Sequence, residues 1–477
     1  MEKLIEIVDG IPSVYGLEWN NAINLTINKG ENPSIVGLNN AGKTLLAEIF
    51  SSRVALRQGS ISFSFLPKGV SYKKNAVVRA SFESAYLLAD YNSMYYSQRF
   101  SASENDLSPT VKHILDDMEG EQETKKKWIS KLRLENLFDK HLIMLSSGEL
   151  RRFLIATILI KKPNLIIFDN PFIGLDAQMR AELDLLFKEI AHFQNMIFVV
   201  PSVSEIPSVS KSVVFVNDFC VVGKYDKECF VGKENILNTT DCQPINIDFL
   251  EPEHQNLREF ENVAVLKNIT IKYPNRTLFE NFNWTIRRGE KWVLQGANGS
   301  GKSTLLSLIT ADNPRAYAMD ITLFDIPRGS GESIWDIKKR IGYISPEMHL
   351  FFRENQTCEK IVASGLYDTQ GLFRKCSEQQ LEKARKMLAL FNIEHLAQKS
   401  FLKISDGMQR LVLLARTMIK NPDLLILDEP LHGLDDQNRS LAAGVITRFC
   451  AQPQKTLVFV THNTDEIPNC MTNKLKL

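Results

Sequence analysis

Two lysines carry the most specific chemistry in this sequence of 477 residues. Lys302 sits near the end of a run made of Gly296, Ala297, Asn298, Gly299, Ser300, Gly301, Lys302 and Ser303, with Thr304 next. Lys43 sits at the same place in Gly37, Leu38, Asn39, Asn40, Ala41, Gly42, Lys43 and Thr44. Both runs obey Gly-x-x-x-x-Gly-Lys-Ser/Thr. The glycines let the backbone curl until several N–H groups face one hollow, and a following helix adds its positive end there. Such a hollow suits phosphate. The lysine can reach the outer phosphates, and the hydroxyl of Ser303 or Thr44 is placed to ligate Mg²⁺.

A loop of this kind needs a strand before it and a helix after it. WVLQ and TLLSLIT flank the second run; strand-like LIEIV and NLTINKGENPSIVG precede the first, and LLAEIF follows it. The two lysines stand 259 positions apart, and other features repeat at that offset. LIIFD ends at Asp169 and LLILD at Asp428, each a continuous apolar run that reads as a buried parallel strand delivering a carboxylate at its end. LSSGE contains Ser146 and Gly148, and ISDGM contains Ser405 and Gly407. GLD recurs at Gly174–Asp176 and Gly433–Asp435. Four motifs in one register exclude chance and indicate a duplicated domain.

The length suggests two to four domains. Residues 1–235 form the first copy, 236–261 an acidic linker with two prolines, and 262–477 the second copy. Between loop and aspartate, SFESAYLLADYNSMYYSQRF through LRLENLF, and SGLYDTQGLF through EKARKMLALFNI, read as a helical insertion in each parallel-sheet core. SVVFVNDFCVVGKYDKECFV alternates as a hairpin closing the first copy. A net charge of +1 gives no global field for nucleic acid or anionic membrane, and Lys125–Lys127 reads as a solvated helix face. Seven scattered cysteines with no C-x-x-C pair argue against a disulfide framework or zinc site and suit a reducing cytoplasm. The acidic N-terminus is no secretory signal, and no apolar run is long enough to span a membrane; work at a membrane would be peripheral, through a partner.

Phosphate loop, Ser-x-Gly element, strand aspartate and GLD, in this order and twice, resemble the ATP-binding cassette (ABC) ATPases over nearly the whole chain. RGSGESIWDIKKRIGYIS (328–345) and LLILDEPLHGLD resemble more narrowly the ModF-type tandem ABC ATPases, a group associated with molybdate transport and in some cases photorepair. The resemblance implies an α/β fold of two tandem P-loop cassettes that bind ATP and Mg²⁺. It implies intramolecular pairing of the cassettes head to tail, with each ATP between the phosphate loop of one copy and the Ser-Gly signature of the other. A signature serine at a helix N-terminus can donate to the γ-phosphate, so closure depends on that phosphate.

On this reading the Lys302 site is complete. Ser303 and Asp428 would hold Mg²⁺, Glu429 would polarise the attacking water, His462 would contact the γ-phosphate, and Ser146 and Gly148 would oppose them; Ser146 and Glu149 also have capping-box spacing. The Lys43 site, with Thr44 and Asp169 for the metal and Ser405 and Gly407 opposite, departs three times. Asn170 stands where Glu429 does, Pro201 where His462 does, and Asp406 brings negative charge into the opposing signature. Binding should outlast turnover there. Tyr273 could stack on adenine, as could Tyr15, one position out of register. The glutamine usual at the edge of the helical insertion is missing: Pro346 or Glu347 occupies that region in the second copy, and Glu83 or Ser84 in the first.

The favoured function is the energising subunit of an importer docked on integral-membrane permease subunits, with molybdate or a related anion implied by the resemblance. The alternative is a soluble ABC ATPase acting on a ribosome, nucleic-acid or repair partner. Against it stand the short acidic linker and the lack of zinc cysteines, long coiled coils or any nucleic-acid signature. A regulatory protein with little turnover is disfavoured by the intact Glu429.

Overall fold

The computed structural model describes residues 2–14, 19, 21–67, 70, 73, 75–81, 109–142, 145, 147–231, 247, 249, 259–273, 276–297, 299–352 and 354–477. Two compact units emerge: Met1–Thr240 with Gly433–Gln437, and Asp241–His432 with Asn438–Leu477.

The first unit runs β1 (Lys3–Pro12), β2 (Ile23–Asn28), β3 (Ser34–Val36), α1 (Lys43–Phe50), β4 (Leu56–Phe63), β5 (Val77–Ser81), α2 (Val111–Asp117), α3 (Gln122–Lys131), α4 (Ser147–Ile160), β6 (Leu165–Asp169), α5 (Ala177–Ala191), β7 (Asn195–Val199), β8 (Ser212–Asn217), β9 (Cys220–Asp226) and α6 (Lys227–Val231). Its main sheet has the order β5-β6-β7-β3-β8-β9, and a smaller antiparallel sheet has the order β2-β1-β4. Strands β5, β6, β7, β3 and β8 are parallel, and β9 returns antiparallel on β8, the hairpin the alternation predicts.

The continuous apolar run of β6 has a direct cause. Leu165 and Ile167 face a core with Leu46, Ala47 and Phe50 of α1, whereas Ile166 and Phe168 face another with Phe153, Phe187 and Phe198. A strand buried on both faces has no place for a polar residue until its end. Each such side chain contributes about 1.5–3 kcal/mol by leaving water. Asp169 follows at the edge.

The second unit runs β10 (Asn262–Tyr273), β11 (Arg276–Arg287), β12 (Lys291–Gln295), α7 (Lys302–Ile309), β13 (Asp320–Leu323), β14 (Ile326–Pro327), α8 (Ile334–Arg340), β15 (Ile341–Ile344), α9 (Pro346–Phe351), α10 (Cys358–Ser364), α11 (Glu378–Leu390), α12 (Asp406–Met418), β16 (Leu424–Asp428), α13 (Asp436–Cys450), β17 (Thr456–Val460) and β18 (Asn473–Lys476). Its parallel sheet, β15-β16-β17-β12-β18, repeats the first through β8, with β18 its outer strand among the described residues. The antiparallel sheet is β11-β10-β13-β14.

Between loop and aspartate of the second copy, α11 falls in the stretch expected to be helical. The expectation of helix through SGLYDTQGLF fails: α10 ends at Ser364, and helix resumes only at α11. Gly371, at φ 84°, breaks the path, and Ser377 restarts the helix with a capping box to Gln380. In the first copy α2 and α3 fall in the stretch expected to be helical, while 82–108 lie outside the described residues, as does nearly all of the predicted linker. The lysine run is not wholly solvated: Lys125 is buried and its Nζ donates to the Asp116 carbonyl at 3.2 Å, while Lys127 lies over the Trp128 ring. Nor are the cysteines all isolated. A hydrogen bond from Cys450 pulls the Cys470 thiol down to about 7.

Candidate functional site

Each phosphate loop joins a central parallel strand to a helix. β3 leads through 37–42 into α1, and β12 leads through 296–301 into α7. The residue before each lysine takes a left-handed conformation, Gly42 at φ 101° and Gly301 at φ 104°. A Cβ at Gly42 would lie 2.9 Å from the Trp19 ring, and one at Gly301 would lie 2.7 Å from that of Phe279. Conformation and space both demand glycine there.

The lysine Nζ atoms fold over their own loops in matching geometry. Lys43 donates to the carbonyls of Gly37 at 2.5 Å and Leu38 at 2.9 Å; Lys302 donates to Gly296 at 2.7 Å and Ala297 at 3.0 Å. Burial pushes Lys43 down to about 8, although the Asp169 carboxylate pulls the other way. Buried side-chain groups without a hydrogen-bond partner lie in both loops, Asn39 Nδ2 in the first and Ser300 Oγ in the second. Such groups are costly unless a ligand satisfies them, which suits a polyanion in each hollow.

The strand aspartates stand as expected at the ends of β6 and β16, both buried. The residue after each is left-handed, Asn170 at φ 47° and Glu429 at φ 49°. Each holds its backbone N–H to the neighbouring strand, to the carbonyl of Val199 or Val460, at 2.9 Å. The backbone is thus the same in both copies and the side chain alone differs. Around Glu429 two imidazoles converge: His462 Nε2 lies 3.2 Å from one carboxylate oxygen and His432 Nδ1 lies 3.7 Å from the other. His432 is a site residue the sequence reading missed. Its signal was available, because Ile173 occupies the same place in the first copy.

At the first loop the neighbourhood is different in kind. Arg79, on β5, donates from Nε to Asp169 Oδ2 at 3.1 Å, and its Nη2 donates to the same oxygen. Its Nη1 holds Glu48 of α1 at 3.2 Å. In register, Arg79 pairs with Ile167 as Tyr343 pairs with Ile426, so a neutral tyrosine stands at the equivalent place in the second copy. Arg79 was not singled out in sequence because it lies in a strand with no motif of its own.

Mg²⁺ takes hard oxygen donors in near-octahedral geometry. Ser303, exposed on the first turn of α7, and the Asp428 carboxylate are hard oxygen ligands of the type the ion takes. Thr44 offers the same hydroxyl, but the Asp169 carboxylate is already bound by a guanidinium.

Of the signature residues, Ser405 occupies the N-cap position of α12 without capping it, and its Oγ is buried with no partner. Gly407 is buried in the first turn of α12, Asp406 is exposed, and Gly148 lies in the first turn of α4, against Met179. Glu149 pairs with Lys140 at 2.8 Å. Pro346 opens α9 behind the cap Ser345. Tyr273 ends β10. Tyr15, Glu83, Ser84, Ser146 and Asn298 lie outside the described residues.

The ABC transporter family matches residues 20–173 and 279–432. The chain is 32% identical over 460 residues to the ABC transporter ATP-binding protein ModF of Escherichia coli (strain K12), covering 95% of this chain and 92% of that one. It is 27% identical over 463 residues to the uncharacterized ABC transporter ATP-binding protein C323.04 of Schizosaccharomyces pombe (strain 972 / ATCC 24843), covering 95% and 93%. Among solved structures, a chain from a model of ribosome-bound archaeal Pelota and ABCE1 is similar with TM-score 0.59 at 19% identity, over 96% of this chain and 74% of that one. At that identity the likeness speaks for fold alone.

Proposed function

The chain belongs to the ABC transporter family as a tandem ATPase, and from that premise we propose that it energises an importer through one hydrolytic site and one site that mainly binds. The observation that carries the asymmetry is the Glu429 carboxylate, held between His462 and His432, against Asn170 and Pro201 in the first copy. A carboxylate can take the proton of an attacking water; an amide cannot. His462 lies beside one carboxylate oxygen and would contact the γ-phosphate, while Lys302 and the loop N–H groups hold the outer phosphates. Ser303 and Asp428 would hold Mg²⁺, which when bound neutralises charge on the β- and γ-phosphates.

On the head-to-tail pairing that the family resemblance implies, the segment of Ser146 and Gly148 would oppose this site and the segment of Ser405 and Gly407 would serve the Lys43 site. Tyr273 is the residue proposed to meet adenine. The cassettes occupy residues 1–235 and 262–477, and the chain works in the cytoplasm, peripheral to the membrane on permease subunits. Among the described residues no helix is long and apolar enough to cross a membrane. The transport reading rests on the family and on relatives named as transporter ATP-binding proteins, with molybdate or a related anion drawn from the ModF likeness.

Capture under ATP-trapping conditions tests this. Glu429→Gln, tagged and recovered with ATP from membrane extracts, should bring down permease subunits. Recovery of ribosomes or nucleic-acid factors instead would replace the importer with a soluble role.

A further inference from the structure

We propose that Arg79 denies Asp169 to a divalent cation, so that the first phosphate loop takes its nucleotide without metal. The inference rests on reading the Lys43 loop as a nucleotide site. Two N–H groups of one guanidinium meet Asp169 Oδ2, in a pair whose side chains are 12% and 9% exposed. The other arm of Arg79 is fixed by Glu48, so the guanidinium is tied on two sides.

A guanidinium stays charged at any physiological pH and matches a carboxylate in shape. Mg²⁺ seeks a carboxylate oxygen with near-octahedral geometry and gives up its waters reluctantly. To ligate Asp169 the ion would have to displace the guanidinium from Oδ2, or sit at Oδ1 against the repulsion of a desolvated cation beside it. The second copy has different residues at both places. Tyr343 holds the place of Arg79, and Ser307 that of Glu48. The phosphates at the first loop are then met by Lys43, the loop N–H groups and the start of α1, which need no metal.

The test isolates the first loop in the full chain with Lys302→Ala and measures ATP binding by equilibrium dialysis in Mg²⁺ and in EDTA. The expected affinities differ by less than about threefold, and adding Arg79→Tyr makes binding at least about tenfold stronger in Mg²⁺ than in EDTA. A difference of about tenfold or more with Arg79 in place overturns the proposal. If the Lys302→Ala chain binds no ATP in either condition, the reading of the Lys43 loop falls and takes the proposal with it. An independent readout needs no variant. Electron paramagnetic resonance of Mn²⁺ with the unmodified chain, saturated with a non-hydrolysable ATP analogue, should count one bound ion per chain; a count of two overturns the proposal.

Discussion

The two phosphate loops share a backbone and differ in what surrounds it. Gly42 and Gly301 take the same left-handed turn, and Lys43 and Lys302 fold over the same pair of carbonyls. One strand away the likeness ends. Glu429 with two histidines faces the second loop's neighbourhood, whereas Asn170, Pro201 and an Arg79–Asp169 ion pair belong to the first. Binding phosphate depends on backbone N–H groups, which a fold preserves as long as its turns survive. Breaking a phosphate bond depends on a few side chains, which can change with the turns intact.

The sharpest way to break this comparison is to exchange the side chain after each strand aspartate. Glu429→Gln should lower steady-state ATP turnover by about 10²–10⁴, roughly 3–5 kcal/mol of barrier, while Asn170→Gln leaves it within about twofold. Equal losses from the two changes would erase the asymmetry. Next come the imidazoles. His462→Ala should cost about 10² in kcat, as loss of a charge-stabilising donor does. His432→Ala should cost less, about tenfold, because it positions Glu429 without touching nucleotide, and His432→Gln should recover most of that loss.

A smaller effect reads Lys43 through pH. Its ammonium sits near 8 in the unliganded protein, and phosphate binding needs it charged. Affinity at the first loop, measured in Lys302→Ala, should be level below about pH 8 and fall by up to about tenfold per unit above it. A flat profile to pH 9.5 (about 1.5 units higher) would show that burial does not depress this lysine. The smallest effect concerns stability. Glu429 is held at φ 49°, a conformation that asparagine tolerates better. Glu429→Asn should therefore raise stability by about 0.5–1 kcal/mol, seen as a Tm increase of a few degrees, even as it abolishes turnover. Asn170→Glu should do the reverse.

Much of this was legible in sequence because the informative residues come in fixed spacings. The glycine-lysine loops, the apolar strands ending in Asp169 and Asp428, and the substitutions at Asn170 and Pro201 are local patterns, and a second copy in register checks each one. The hairpin of β8 and β9 was read from alternation alone. Arg79 was not legible, because its meaning comes from the pairing of β5 with β6, strands far apart in the chain. His432 was missed for a simpler reason: a lone histidine gains significance only when it is seen beside a carboxylate. The stretch beginning SGLYDTQGLF reads as helix in sequence, but the chain turns there, with Gly371 at φ 84°, before helix resumes at Glu378.

The outer position of β18 among the described residues of the second copy has a consequence for how the molecule keeps to itself. In the first copy β8 is covered by the returning hairpin, but β18 is the outer strand of its sheet among the described residues. An outer strand displays a ladder of amide groups on which another chain can register and grow. β18 reads Asn-Lys-Leu-Lys, with Lys474 and Lys476 exposed at alternate positions. Two such strands approaching edge to edge bring ammonium groups against one another, so self-templated growth at this edge is opposed by repulsion.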